Sequence, residues 1–358
     1  KRMFLNKKAS FYEPMLDDML QDSNIKLVDS LKDGVINCSI IIITIGTPID
    51  EYLNPRLKPI FSLINELVNL GDVFSNKLII LRSTVYPGLT KKIEKIFKSK
   101  CTNVSISFCP ERAAGGVMIR ELLTLKQIVS ANDEYTLNRV EKFFNDANIR
   151  TIRLNNTTEG ELAKLFTNSY RYIQFAISNQ FFMISQEAKC DFYSIYNAIR
   201  DEYPRMESLP RPFWAAGYCL RKDAIQLAAF SNGATFNLGY DASLINENLP
   251  LFVFRAMRKK FGDISDKKVG LLGMAFKGGV DDIRDSLAYR MKKILENEVK
   301  EVICSDCYVK DDFIVDANTL IRESDIIILM CMHEQYKDLK IDKPVIDLFN
   351  FFGMGIGL

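Results

Sequence analysis

From residue 39 the chain alternates short β-branched runs with longer stretches of helical periodicity. Ser39, four isoleucines and Thr44 form a run that turns at Gly46, Thr47 and Pro48. A second run, 78–81, leads into Arg82, Ser83 and Thr84 before the breakers Pro87 and Gly88. Between them, 57–70 carries apolar residues at helical spacing, and 104–108 is a third strand-like run ending at Cys109 and Pro110. Strand, helix, strand, helix, strand is the order of a parallel α/β sheet. Side chains just beyond such strands line the crevice where ligands bind.

A long helix is predicted from 158 to about 188. Thr158 and Glu161 have capping-box spacing, and Leu162, Leu165, Phe166, Ser169, Ile173, Ala176 and Ile177 recur every three or four residues. Lys164, Asn168 and Arg171 share the opposite face, followed there by Phe175 and Phe182. The helix therefore reads as partly polar at first and buried all round later, a connector between domains or subunits. Helices are expected at 224–230 and 251–259, separated by the Gly- and Asn-rich stretch 231–248. A second α/β unit opens at Lys268, with strands at 269–273, 302–304, 326–330 and 345–347 and a helix over 287–295 capped by Asp285 or Ser286. The expected fold is α/β, with two parallel-sheet domains joined by a long central helix and a helical middle.

Composition narrows the function classes. The chain is 47% apolar and 26% charged with a net charge of +2, which gives no bulk field for nucleic acid or an anionic membrane. Its longest apolar run, 326–332, is far short of the roughly 18 residues of a membrane span. Lys1 to Asn6 starts basic and turns polar at once, so no signal peptide is expected, and a chain opening on Lys reads as incomplete there. Eight scattered cysteines suit free thiols in a reducing compartment. Cys304 and Cys307 supply only half of a zinc site, and His333, the single histidine, is distant in sequence and expected to orient or cap a turn; no metal is expected. There is no heptad array or short-period repeat.

Three groups of residues are candidates for chemistry. Cys219 follows the turn at Gly217 and precedes Lys222 and Asp223 by three and four residues; a helix N-terminus or a nearby cation would stabilise its thiolate, although most cysteines are inert core residues. Lys164 and Asn168 read either as solvated residues on the helix's outer face or, since Phe175 and Phe182 follow on that side, as a covered pair suited to an oxyanion or a held water. Ser83, Thr84 and Glu111 each lie just after a strand, where turn capping is the plainer reading. Finally, Phe276, Lys277, Gly278 and Gly279, followed by Asp281, Asp282, Arg284 and Asp285, resemble an anion-receiving loop after a strand, with a generic solvent-facing loop as the equal alternative.

Together these stretches resemble the UDP-glucose/GDP-mannose dehydrogenase family of nucleotide-sugar dehydrogenases, over nearly the whole chain. The matching blocks are Gly46-Thr47-Pro48, 83–88, Cys109 to Arg112, 161–165 with Asn168, Gly217 to Cys219 with Lys222 and Asp223, and 272–277 with 282–286. The resemblance implies two Rossmann-like domains, an NAD-binding one at 1–155 and a nucleotide-sugar-binding one at 263–358, joined by a central helical domain at 156–262 carrying the cysteine and the dimer contact. It implies a four-electron oxidation of a sugar C6 hydroxymethyl to a carboxylate with two NAD+, through a thiohemiacetal and a thioester on Cys219. By the same resemblance, Lys164 stabilises oxygen charge, Asn168 places it, Asp223 holds water, and Thr84 and Glu111 stand by C6 and the nicotinamide. Thr47, Pro48, Ser83, Thr84, Glu111, Lys222 and Arg284 would contact cofactor. Lys164, Asn168, Arg171, Arg205, Phe276 and Lys277 would contact substrate. Arg171 resembles the branch acting on UDP-N-acetylhexosamines, with UDP-glucose as the alternative. A cytoplasmic homodimer without nucleic-acid or membrane partners is implied.

The family pattern opens with a strand, a G-x-G-x-x-G turn, a helix and a strand bearing an acidic ribose ligand. This sequence enters just after them, which implies residues ahead of Lys1 or a non-catalytic nucleotide-sugar-binding homologue without a working NAD site. Phe213, Trp214, Ala215 and Ala216 replace part of the usual glycine-rich approach to the cysteine, and Asp347 to Asn350 lacks a common Arg.

Overall fold

The computed structural model describes residues 7–50, 56–100, 103–231 and 235–358. The leader reading of Lys1 to Asn6 and Cys101 fall outside them. The chain divides into two compact units, residues 1–168 with 222–236, and residues 169–221 with 237–358.

The first unit holds a five-stranded sheet in the order β1 (Ile40–Ile43), β2 (Leu78–Leu81), β3 (Ser105–Phe108), β4 (Gln127–Ala131) and β5 (Thr151–Leu154). β1, β2 and β3 are parallel in register, Ile43 opposite Leu81 and Leu81 opposite Phe108. Helices α1 (Leu16–Gln21), α2 (Leu31–Ile36), α3 (Lys58–Val68), α4 (Leu89–Lys100), α5 (Met118–Thr124) and α6 (Glu134–Asp146) complete the layers. Ile60, Ile64 and Leu67 of α3 and Ile93 and Phe97 of α4 pack with Ile79, Leu81, Ile106 and Phe108 of the sheet. The sheet carries one departure from the all-parallel expectation, because β4 runs antiparallel to β3. β4 escaped the sequence pattern because Gln127 and Ser130 are polar yet buried. Ser130 Oγ donates to the Phe108 carbonyl at 2.7 Å, and the Gln127 amide donates to the carbonyls of Pro110 and Ile128.

α7 (Thr157–Glu187) is the predicted long helix, with a different start. Asn156 Oδ1 accepts from Glu159 N at 3.0 Å and is the cap, so the box of Thr158 and Glu161 does not form. Nor is the helix buried all round: Phe166, Tyr170, Ile177, Phe181 and Ile184 are exposed.

The second unit contains the order β10 (Val345–Ile346), β9 (Ile326–Leu329), β6 (Lys268–Leu272), β7 (Glu301–Ser305) and β8 (Ile314–Val315), all parallel. α8 (Phe192–Arg200), α10 (Leu238–Phe261), α11 (Leu287–Leu295) and α12 (Ala317–Glu323) belong to it, and α9 (Tyr218–Phe230) begins in it. Ser286, rather than Asp285, caps α11 through Ala288 N. The Gly- and Asn-rich stretch read as a separator is largely the start of α10. Asn246 is tolerated there because its side chain is bonded by Asn179 Nδ2 at 2.9 Å and donates to the Tyr172 carbonyl at 3.2 Å, so tertiary bonds override its poor helix propensity.

Candidate functional site

In the first unit, parallel pairing brings the loops after β1, β2 and β3 to one end of the sheet. Thr47 Oγ1 donates to the Thr84 carbonyl, and Ser83 Oγ lies 3.5 Å from the Ile43 carbonyl. Thr47 and Ser83 are buried, and Pro48 and Thr84 are half-buried. Glu111 accepts from Arg112 N and Ala113 N at 2.7 Å each and pairs with the Arg82 guanidinium, which also reaches Gln127 Oε1 at 3.0 Å. A carboxylate bonded in this way is suited to holding its loop in place. Arg82 was not singled out from the sequence, although it directly precedes Ser83.

Glu161 has a role the sequence reading missed. Its carboxylate accepts from Gly88 N at 2.5 Å, Thr90 N at 2.8 Å and Thr90 Oγ1 at 2.6 Å, pinning the loop after β2. Burial pushes this carboxyl up, against the pull of those bonds.

Lys164 and Asn168 are both buried on α7, one turn apart. Asn168 Nδ2 donates to Asp223 Oδ2 at 2.6 Å, and Asp223 Oδ1 pairs with the Lys222 ammonium. Asp223 is completely buried, so this carboxylate is fixed from two sides. Gln226, one turn further along α9, is equally buried, with Nε2 3.5 Å from the Thr47 carbonyl and Oε1 lacking a hydrogen-bond partner among the described residues. Arg171, expected on the face of Lys164 and Asn168, is exposed.

In the second unit, Gly217 takes φ +96° and leads into α9, where Cys219 is the second residue and exposed. Backbone N–H groups at a helix start favour an anion there. The loop after β6 lies beside it. A Cβ on Gly217 would sit 2.7 Å from Phe276 Cδ2, and Arg284, paired with Asp282 at 2.6 Å, stands 5.2 Å over the Tyr218 ring. Lys277 follows on the same loop, 6.0 Å from the Phe276 ring centroid. Trp214 is buried with Nε1 donating to the Leu329 carbonyl at 2.9 Å, while Asn179 bonds both backbone groups of Phe213, at 2.9 and 3.0 Å. Arg205 is exposed against Tyr203.

The His333 side chain does not cap the short helix at 334–336, but it does orient a turn, since its Nδ1 accepts from Gly279 N at 3.1 Å. It is buried with Nε2 3.0 Å from Asp306 Oδ2 and 3.3 Å from Cys331 Sγ. Asp306 went unnoticed in the sequence, although it directly follows β7 and His333 comes four residues after β9, the two strands that flank β6.

Three family models match the chain in order: the NAD binding domain of the UDP-glucose/GDP-mannose dehydrogenase family at residues 2–148, its central domain at 158–248 and its UDP binding domain at 270–353. The UDP-N-acetyl-D-mannosamine dehydrogenase of Pyrococcus horikoshii is 27% identical over 344 residues, 92% of this chain and 81% of that protein. The enzyme of the same name from Methanocaldococcus jannaschii is 29% identical over 304 residues, 84% of this chain and 70% of that protein. Among solved structures, the Pyrococcus horikoshii UDP-D-ManNAc dehydrogenase superposes with a TM-score of 0.87 at 26% identity, covering 99% of this chain and 90% of that one. A UDP-glucose dehydrogenase from Pyrobaculum islandicum shares the fold, with a TM-score of 0.85 at 20% identity, covering 97% and 85%.

The first unit fits NAD: Thr47 and Ser83 are buried at the strand ends, and Gln226 Oε1, without a hydrogen-bond partner among the described residues, adjoins Thr47 and offers an acceptor to an amide donor. With all three domain models matched in order, the chain belongs to the UDP-glucose/GDP-mannose dehydrogenase family and is an NAD-dependent nucleotide-sugar dehydrogenase.

Proposed function

We propose that the chain oxidises the C6 hydroxymethyl of a UDP-N-acetylhexosamine to the uronate, four electrons in all. The observation that carries this reading is the exposed Cys219 in the first turn of the helix that continues into the fixed pair of Lys222 and Asp223. The names of the Pyrococcus horikoshii and Methanocaldococcus jannaschii relatives favour the N-acetylated sugar.

The C6 alcohol first loses its hydroxyl proton and a hydride from carbon, which leaves the aldehyde. Cys219 Sγ, as thiolate, adds to the aldehyde carbon; Lys164 offers its ammonium to the oxygen that gains charge, with Asn168 placing it. Loss of hydride from this thiohemiacetal leaves a thioester, and water held by Asp223 breaks the C–S bond, releasing the carboxylate and returning the thiol. NAD would be held by Thr47, Pro48, Ser83, Thr84, Lys222 and Arg284, with Glu111 shaping the site, and would accept one hydride in each of the two oxidations, two NAD+ per sugar. Phe276, Lys277, Arg171 and Arg205 contact the nucleotide sugar. The labour divides between cofactor binding at 1–155, thiol chemistry and dimerisation at 156–262, and nucleotide binding at 263–358.

The protein works as a cytoplasmic homodimer. No helix among the described residues is long and apolar enough to cross a membrane. A groove lined by Ile173, Ile177, Leu238 and Leu244, with Leu238 58% and Leu244 65% exposed, is the apolar face a second copy would cover.

The test is the NADH yield per sugar on a panel of UDP-sugars. A ratio of about two, highest in rate for an N-acetylated sugar, is expected, with Cys219→Ser forming no uronate. A ratio of about one with accumulating aldehyde contradicts the reading.

A further inference from the structure

In the second sheet β6 is flanked by β7 on one side and β9 on the other, so the strand order reverses at its C-terminal end. Ligands of open α/β sheets bind at such a reversal. Here the backbone after β6 and β7 and the imidazole carried after β9 are gathered onto one side chain. Asp306, half-buried after β7 with its side chain fully enclosed, accepts through Oδ2 from Met274 N at 2.6 Å, Ala275 N at 2.9 Å and His333 Nε2 at 3.0 Å. Through Oδ1 it accepts from Tyr308 N at 2.8 Å and Val309 N at 2.9 Å. His333, buried after β9, in turn accepts at Nδ1 from Gly279 N at 3.1 Å. The two side chains thus grip the loop after β6 at both ends, residues 274 and 275 and residue 279, with Phe276 and Lys277 between.

The fit around this grip is close. A Cβ on Gly273 would stand 2.6 Å from Cys331 Cβ, and one on Gly278 would stand 1.9 Å from the Met332 carbonyl oxygen. The rings of Tyr308 and Tyr336 lie 5.1 and 5.2 Å from the imidazole and fix its plane. Asp306, Cys331 and His333 also bring three potential ligand atoms within 4.8 Å of one another. The hydrogen bonds argue against a metal there. With Gly279 N–H donating to Nδ1, the ring proton lies on Nε2 and is donated to Asp306, which leaves Nε2 no lone pair for an ion.

We infer that Asp306 and His333 are positioning residues for nucleotide-sugar binding: they hold the 274–279 loop so that Phe276 packs on Gly217 and Lys277 is presented to the diphosphate. The inference rests on the proposed role of that loop. Neither residue touches substrate, so their loss weakens capture of the nucleotide sugar and leaves the chemistry on the captured sugar largely intact.

Three variants separate the bonds. Asp306→Asn replaces one accepting oxygen by an amide that faces backbone N–H groups. His333→Asn keeps an acceptor near Gly279 and loses the donor to Asp306, whereas His333→Gln keeps the donor and loses the acceptor. Each is assayed for KM and kcat with the nucleotide sugar and NAD, and titrated with UDP alone. The expected result for Asp306→Asn is a KM for nucleotide sugar raised about tenfold or more, a matching loss of UDP affinity, kcat within about threefold and the KM for NAD unchanged. The two His333 variants give smaller shifts in the same direction, and they carry the test if Asp306→Asn does not fold. Folded variants that bind UDP as the unaltered protein does overturn the inference. An unaltered protein that does not bind UDP fails the reading of the loop itself. The imidazole 15N spectrum of the single histidine is the second readout. An Nε2–H tautomer unmoved by added zinc is expected; an Nδ1–H tautomer or a zinc-induced shift overturns the geometry.

Discussion

Replacing Gly217 by alanine tests the contact between the cysteine's helix and the loop after β6. At φ +96° an L-residue is strained by about 1–2 kcal/mol. The new methyl also meets Phe276 at 2.7 and 2.9 Å, closer than real Cβ contacts allow, so the ring must retreat by roughly 1 Å or the loop must move, an overpacking cost of about 1–3 kcal/mol. The sum is about 2–5 kcal/mol, or about 4–20 °C in the melting of a unit of this size. Gly262→Ala is the internal control. Gly262 lies in the same unit at φ +75° with nothing within 4 Å, so its substitution carries the strain without the clash. Trp214, buried and the single tryptophan, reports the melting of this unit by fluorescence. Gly217→Ala should melt lower than Gly262→Ala by at least about 1 kcal/mol equivalent. Phe276→Leu should recover part of the loss in the double variant, and uronate formation should fall by up to about a hundredfold through displacement of Cys219. Equal melting of the two alanine variants, or no relief from Phe276→Leu, would refute the contact.

Further outcomes follow from the same geometry. Asp223→Asn loses the ion pair with Lys222, and kcat for uronate formation should drop by about a hundredfold to ten-thousandfold while folding persists; an unchanged rate removes Asp223 from the water step. Glu161→Gln leaves one accepting oxygen for three donors, so amide exchange at Gly88 and Thr90 should speed up in keeping with a loss of about 1–3 kcal/mol, and unaltered protection would contradict it. Burial pushes the Asp306 carboxyl up, but the bond from His333 and the amides of Val309 and Tyr308 outweigh it and hold it at about 2. A carboxyl depressed on folding stabilises above its unfolded value of about 3.9, so about 2 kcal/mol should disappear as pH falls from about 5 towards 2, and Asp306→Asn should flatten that slope in acid denaturation. Mild alkylation should reach the exposed Cys219 while Cys109 and Cys304, whose thiols burial pushes up to about 12, react only after unfolding; early labelling of either would be inconsistent with this packing.

The sequence announced those parts of the fold whose chemistry is local. Strands such as 78–81 and 326–329 are short β-branched or leucine runs bounded by turn signals, and they formed where the pattern put them. β4 was illegible because its polar side chains are satisfied by groups that only the folded sheet supplies. The start of α10 was hidden in the same way, since Asn246 reads as a loop residue until Asn179 and Tyr172 stand beside it. Among the site residues, Cys219 with Lys222 and Asp223 is a contiguous signal. Asp306 and His333 lie 27 positions apart and meet only because β7 and β9 flank β6. Glu161 looked like a local cap at capping-box spacing, yet its partners are more than seventy residues away.

That last arrangement has a kinetic consequence. The amides of Gly88 and Thr90, at the beginning of α4, have as their acceptor a carboxylate 73 and 71 residues downstream. On a ribosome they would emerge long before Glu161 is made, and they would stay hydrated until α7 docks. Closing a span of that length opposes docking by roughly 4 kcal/mol of chain entropy before any contact is gained. The first turn of α4 should therefore be among the last parts of its unit to acquire protection during refolding, well after the hydrophobic face of Ile93 and Phe97 has found the sheet.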